Sequence, residues 1–187
     1  MWKELFRKSI HICSAFIPLL LWWNRPVTLI LIFLALSVYT VCELLRLSGH
    51  KIPVVSKITE IAARKRDENR FVLGPVTLCT GIILAGLFFP HHNATIGIFA
   101  LAFGDGLASV GGTLFGKTHL PFTKGKTLEG SLTCWTAVFI ALWIYTDNIT
   151  CALILATATM LIEMLPLYDF DNILIPLATG ALSYLFV

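Results

Sequence analysis

Two short stretches carry side chains suited to handling phosphate. The first, FGDGLASVGGTLFGKT over 103–118, sets Asp105 in an apolar, small-residue run and ends in a G-x-x-x-x-G-K-T spacing from Gly111 to Thr118. The second, TKGKTLEGS over 123–131, follows within a few residues, so that Lys117, Lys124 and Lys126 share one connection with threonines, glycines and Glu129. A lysine ammonium is a point charge that suits phosphate, and glycines beside Lys124 and Lys126 let the backbone come close. Glu129 is placed to hold a magnesium ion together with Asp105, since magnesium takes one or two carboxylates plus the phosphates of a substrate. On residue types alone a second reading stands beside this one: a basic loop touching anionic lipid headgroups.

The spacing at Gly111–Thr118 matches a P-loop, but a P-loop needs a strand before it and a helix N-terminus after it. Here the glycines end an apolar run, and Ala100, Gly104, Ala108, Gly112 and Gly116 recur every four residues. That period gives one helix face of small side chains, which lets helices approach closely in a membrane. GGTLFGKT is therefore read as packing, with any phosphate chemistry carried by its neighbours.

The elements that must position these groups are apolar helices. Of 187 residues, 57% are hydrophobic and 13% charged, and the mean hydropathy is +0.82. Soluble domains run near half apolar and a quarter charged, so the balance indicates an integral membrane protein. Apolar runs fall at 9–23, 27–46, 73–89, 94–115, 130–146, 149–166 and 173–187. A spanning helix needs roughly 20 apolar residues, and seven transmembrane helices in a single domain, 1–187, are expected. No small-residue cleavage site follows the first run, which is read as a retained helix. Between 53 and 70, Val54, Val55, Ile58, Ile61 and Ala62 recur at helical spacing and predict an amphipathic helix in the interface. The cysteines, Cys13, Cys42, Cys79, Cys134 and Cys151, stand singly, which predicts buried free thiols and no zinc site.

Lysine and arginine set the orientation. The N-terminus, the connection after the second helix and the connection after the fourth hold every basic residue except Arg25. The N-terminus is thus expected in the cytoplasm and the C-terminus outside. An ionisable residue inside a membrane helix costs about 2.5–3.5 kcal/mol on insertion scales, so each one needs a reason. His11, Glu43, Asp105 and Glu163 all fall in the cytoplasmic half, with Asp169 and Asp171 in the adjoining YDFDN. A transporter would place such groups nearer the midplane. For Glu43 an ion pair with Arg46, one turn on, is the plain structural reading.

Taken together, FGDGLASVGGTLFGK and TKGKTLEGS resemble the polyprenol kinase family: dolichol kinases, phytol kinases and yeast-type CTP-dependent diacylglycerol kinases. RKSIH (Arg7, Lys8, His11), the Glu43–Arg46 pair and DFDNILIP (Asp169 to Pro176) extend the resemblance over most of the chain. It implies a membrane enzyme that phosphorylates a lipid alcohol, with CTP as co-substrate and magnesium as cofactor. A polyprenol, phytol or diacylglycerol is the expected acceptor class. On this basis the donor meets Lys117, Lys124, Gly125, Lys126, Thr127, Gly130 and Ser131, together with Ser109, Arg7 and Lys8. Asp105 and Glu129 come first as magnesium ligands, then Glu163, Asp169, Asp171 and Asn172. The base is Asp105 where it does not hold the metal, with His11 second, and Lys126 and Glu129 complete the catalytic set. Glu43 and Arg46 are assigned to the lipid side or to structure. The expected setting is the cell (inner) membrane, with the site facing the cytoplasm, no nucleic-acid partner, and a homodimer open through the small-residue face. Two other reaction classes stay open: cytidylyl transfer yielding a CDP-lipid, and solute transport.

Overall fold

The apolar runs fold as helices joined by short connections. The computed structural model describes residues 2–50, 59, 67, 70–121, 123 and 125–186. Helix α1 (Trp2–Cys13) passes through a 3-10 turn (Ser14–Phe16) into α2 (Ile17–Leu47). Then follow α3 (Gly74–Phe88), α4 (His91–Phe99), a π-helical segment (Ala100–Asp105) and α5 (Gly106–Phe115). The chain ends with α6 (Leu128–Thr146), α7 (Ile149–Met164), α8 (Asp171–Leu182) and a 3-10 turn (Ser183–Leu185). The amphipathic helix expected between 53 and 70 lies largely outside the described residues.

Asn24 breaks α2, with φ −154° and ψ 93°. Its Oδ1 accepts the Val27 N–H at 3.1 Å, and Pro26 sits in the first turn that follows, so a new helix is capped here. Thr28 Oγ1 donates to Leu20 O (2.9 Å) and Asn24 O (2.8 Å). Eight residues of straight helix span about 12 Å, so this bond requires the chain to bend sharply at Asn24. Arg25 fastens the bend by donating to Gly86 O and Phe89 O at the end of α3. The break separates the two runs expected at 9–23 and 27–46, while the helix itself begins earlier, at Trp2.

Among the described residues, three helical stretches are long and apolar enough to cross a membrane: Glu4–Leu47, His91–Phe115 and Leu128–Thr146. Gly74–Phe88 and Ile149–Met164 are shorter apolar helices. The fold is all-α and membrane-associated, and its burial pattern fits an apolar surrounding. Trp22 and Trp23 are 74% and 79% exposed, whereas Lys8, Glu43, Asp105 and Asp171 are buried. Leu101, Val138, Leu142, Leu155 and Ile175 form the centre of the apolar core.

The small-residue face works within the chain. A methyl placed on Gly130 would come 2.8 Å from Ala108 O, so α5 and the start of α6 pack backbone to backbone. Gly104 faces Cys134, Val138 and Thr159 on α6 and α7. Helix α8 packs on both α3 and α4, and methyl groups on Gly81 or Gly97 would collide with its Asn172 and Pro176 carbonyls. All five cysteines are free.

Candidate active site

The GGTLFGKT stretch is helical up to Phe115 and is preceded by helix, so it has no P-loop geometry. After Gly116 the chain forms a hairpin. Leu120 N–H donates to Lys126 O and Leu128 N–H to Thr118 O, both at 2.9 Å, around an isolated bridge between His119 and Thr127. Gly125, at φ +94°, makes the turn that a side chain would disfavour. Thr127 then caps α6, its Oγ1 accepting the Gly130 N–H at 3.2 Å. The hairpin thus delivers Lys126 to the positive end of α6.

Asp105 closes the π-helical segment. The wider turn of a π-helix recurs at functional sites, and here it sets a carboxylate against α1. Lys8 Nζ lies 2.5 Å and His11 Nδ1 2.9 Å from Asp105 Oδ2. Lys8 is only 2% exposed, so this is a buried pair, with Lys8 and His11 reaching the same oxygen from one helix. A second cluster joins the hairpin to α7 and α8. Lys126 Nζ lies 3.1 Å from Glu163 Oε1 and 3.9 Å from Asp171 Oδ2, and it also donates to Glu163 O. Ser131 Oγ donates to Glu163 Oε2 at 3.3 Å. Burial, and next the Asp105 carboxylate, push Asp171 up to about 7 against the pull of Lys126. Asp171 stands where α8 begins, ahead of the apolar run.

Two cavities meet here. The larger, about 470 Å³, is polar and is lined by Ser109, Gly125, Lys126, Thr127, Gly130, Ser131 and Glu163. The smaller, about 40 Å³, is lined by the apolar Ile10, Val72, Pro75 and Leu78 and by the polar Arg7, Lys8, His11, Asp67, Asp169 and Asn172. Asp105, Asp171 and Tyr168 line both.

The structure therefore brings together most of the site residues expected from sequence, and distributes them. Ser109, Gly125, Lys126, Thr127, Gly130 and Ser131 share the polar cavity, whereas Arg7 and Lys8 sit on the apolar one. Glu129 lines neither cavity, and both of its oxygens lie within 3.2 Å of the Thr118 N–H. Lys117 is exposed and Lys124 lies outside the described residues. Among the described residues, no three His, Cys, Asp or Glu side chains converge to hold a metal ion by themselves.

Glu43 and Arg46 form a two-pronged pair at 2.7 and 2.8 Å. Glu43 also accepts the Val72 N–H, and Arg46 donates to Arg70 O. They line neither cavity and tie the end of α2 to the chain entering α3. Sequence reasoning missed Tyr168, whose φ of 60° puts a bulky residue in the left-handed region at the junction of the cavities. It also missed Thr77, which donates to the carbonyls of its own helix and accepts a hydrogen bond from Asn172. Neither residue carries a signal in the sequence.

No protein-family model and no solved structure matches the chain. Curated relatives do. Phytol kinase 1, chloroplastic, of Arabidopsis thaliana is 28% identical over 98% of this chain and 66% of its own length. The phytol kinase of Synechocystis sp. is 25% identical over 97% of this chain and 78% of its own length. The dolichol kinase of Saccharomyces cerevisiae is 31% identical over 48% of this chain and 17% of its own length. The chain thus spans about two thirds of the length of the plant phytol kinases. These relatives agree in kind and several align over nearly the whole chain, which supports assigning it to a polyprenol-kinase-like family.

Proposed function

We propose that this protein is a membrane lipid-alcohol kinase that moves the terminal phosphoryl group of a nucleoside triphosphate onto a long-chain alcohol. One observation carries the reading: a polar cavity and an apolar-walled cavity meet at Asp105, Asp171 and Tyr168. The first suits a charged donor and the second an alcohol with a hydrocarbon tail. The names of the relatives, phytol, farnesol and dolichol kinases, support the same acceptor class. The motif resemblance supports CTP as donor.

In this mechanism the donor phosphates enter the polar cavity against Lys126 and the positive end of α6. The alcohol oxygen forms a bond to the terminal phosphorus as the bond from that phosphorus to the bridging oxygen breaks. The nucleoside diphosphate leaves and Asp105 takes the hydroxyl proton. Lys8 and His11 keep Asp105 oriented until then. Phosphoryl transfer asks mainly for positioning and charge neutralisation, so a weakly basic carboxylate is enough. Asp171 fits a magnesium ion, since a buried carboxylate held up near neutrality beside another carboxylate gains from a cation. Bound there, magnesium would neutralise charge on the phosphates.

The topology proposed with this reading has seven crossings, with the N-terminus and the site on the cytoplasmic side. It is supported by the basic residues at that end and by the clustering of Lys8, Asp105, Lys126, Glu163 and Asp171 there.

The test is a donor-and-acceptor panel with the purified protein in detergent. Labelled CTP and ATP are each offered with phytol, farnesol, a polyprenol and diacylglycerol. The expected outcome is a lipid monophosphate and CDP. Pyrophosphate with a CDP-lipid would replace kinase by cytidylyltransferase, and solute flux in proteoliposomes without any lipid product would replace it by transporter.

A further inference from the structure

The amide of Asn172 is held in one orientation. Thr77 Oγ1 has carbonyl partners within its own helix, Gly74 O at 3.0 Å and Leu73 O at 3.2 Å, so its hydrogen is engaged and the oxygen can only accept. Asn172 Nδ2 donates to that oxygen at 3.0 Å. The amide therefore turns its NH2 group to Thr77 and its carbonyl away from it. That carbonyl oxygen, Oδ1, is buried and has no hydrogen-bond partner among the described residues. Asn172 as a whole is 3% exposed, and it lines the smaller cavity beside Asp105 and Asp171. A buried acceptor without a donor costs free energy, so the arrangement calls for a ligand that brings one.

We propose that Asn172 Oδ1 accepts the hydroxyl hydrogen of the waiting lipid alcohol, and that Thr77 is the residue that orients it. This rests on the kinase reading and names the acceptor subsite within it. The walls support a hydroxyl on a hydrocarbon tail. Ile10, Val72, Pro75 and Leu78 give the cavity an apolar wall for the tail, and Asp105 and Asn172 line the same cavity for the hydroxyl. A neutral amide oxygen cannot take up the proton, so Asn172 binds the alcohol without activating it. When the donor arrives, rotation about the alcohol C–O bond carries the hydrogen from Asn172 to Asp105, which also lines this cavity. Asn172 thus acts on acceptor affinity and Asp105 on the transfer itself. The backbone is equally fixed: Asn172 N–H meets Asp171 Oδ1 at 3.0 Å, and α3 packs against its carbonyl at Gly81.

The probe is labelled phytol, bound to the purified protein with EDTA and no nucleotide, and displaced by unlabelled phytol or by phytyl methyl ether, which lacks the O–H donor. The unsubstituted protein is expected to bind the ether about tenfold more weakly than phytol. Asn172→Ala and Thr77→Val are expected to bring the two ligands close to parity, and Thr77→Ser to restore the preference. In turnover, Asn172→Ala should raise the KM for the alcohol about tenfold, with kcat and the donor KM little changed. Equal binding of alcohol and ether by the unsubstituted, active protein would overturn the assignment and leave the kinase reading intact. A preference that appears only with magnesium present, or an Asn172→Ala defect cured by more magnesium, would overturn it in favour of a metal ligand. If phytol and the other alcohols of the panel neither bind nor are phosphorylated, the kinase reading falls and the Asn172 assignment with it.

Discussion

Asp105 carries two duties that substitution can separate. As proposed base it faces both cavities, and as counter-ion it keeps Lys8 tolerable in a buried position. Removing one partner of a buried pair costs about 3–5 kcal/mol because the other charge is left behind. Asp105→Asn is therefore expected to lower the midpoint of thermal unfolding in detergent and to cut kcat by about 10²–10⁴-fold. Adding Lys8→Met to it should recover the midpoint and leave the rate low. Recovery of turnover in the double variant would count against Asp105 as base. Lys126 separates differently. Its ties to Glu163 and Asp171 must be exchanged for the phosphates of a donor, so Lys126→Met should raise the donor KM about tenfold or more while phytol binding stays unchanged. The nearby Glu129 shows the limit of reading single residues. A carboxylate at a helix start in a lysine-rich loop suggests a metal ligand, but the hairpin turns it onto the Thr118 N–H. That bond depends on a turn at Gly125 and a bridge at His119, which no residue spacing specifies.

At the scale of elements, α8 is the helix that carries the proposed acceptor subsite, and it is held by contacts too close for side chains. A methyl at Gly81 would strike the Asn172 carbonyl. Gly81→Ala is therefore expected to push the start of α8 off α3, at a cost of about 1–3 kcal/mol. It should raise the alcohol KM more than the donor KM, measured in the same turnover assay. Thr127→Val should act on the other side. It removes the cap of α6, costs about 1 kcal/mol and should weaken donor binding by loosening the turn that presents Lys126. Much of this level could be read beforehand. The four-residue period from Ala100 to Gly116 predicted a close-packed helix face, and Gly104, Gly112 and Gly130 do meet facing groups across α5, α6 and α7. The π-helical turn at Ala100–Asp105 could not be read, because a one-residue widening leaves composition and period almost unchanged. Nor could the left-handed Tyr168, since a tyrosine there is disfavoured and only the surrounding fold enforces it.

For the whole molecule, the proposed topology makes a labelling prediction. In a background with the five native cysteines replaced by serine, a cysteine at Asp147 should react with an impermeant maleimide from outside intact cells. A cysteine at Ser48 should react only after the membrane is opened. The reverse pattern would invert the site to the far side. The all-α character and the apolar helices were legible because apolar run length is set by the bilayer. The two cavities that meet at Asp105, Tyr168 and Asp171 were not legible, because those residues are brought together only by tertiary packing.

In the proposed topology the chain reverses at the Asn24 break, and this has a consequence for biosynthesis. Arg25 has its acceptors in Gly86 and Phe89, which follow it by 61 and 64 residues. While the chain is still emerging from the ribosome, the first hairpin holds a guanidinium whose final partners have not been made. In that topology it would stay at the far membrane surface, in contact with water, until α3 arrives. Arg25 is thus a checkpoint on assembly order. Replacing it with leucine should let the hairpin sink early into the bilayer, and a growing fraction of chains should then fail to dock α3.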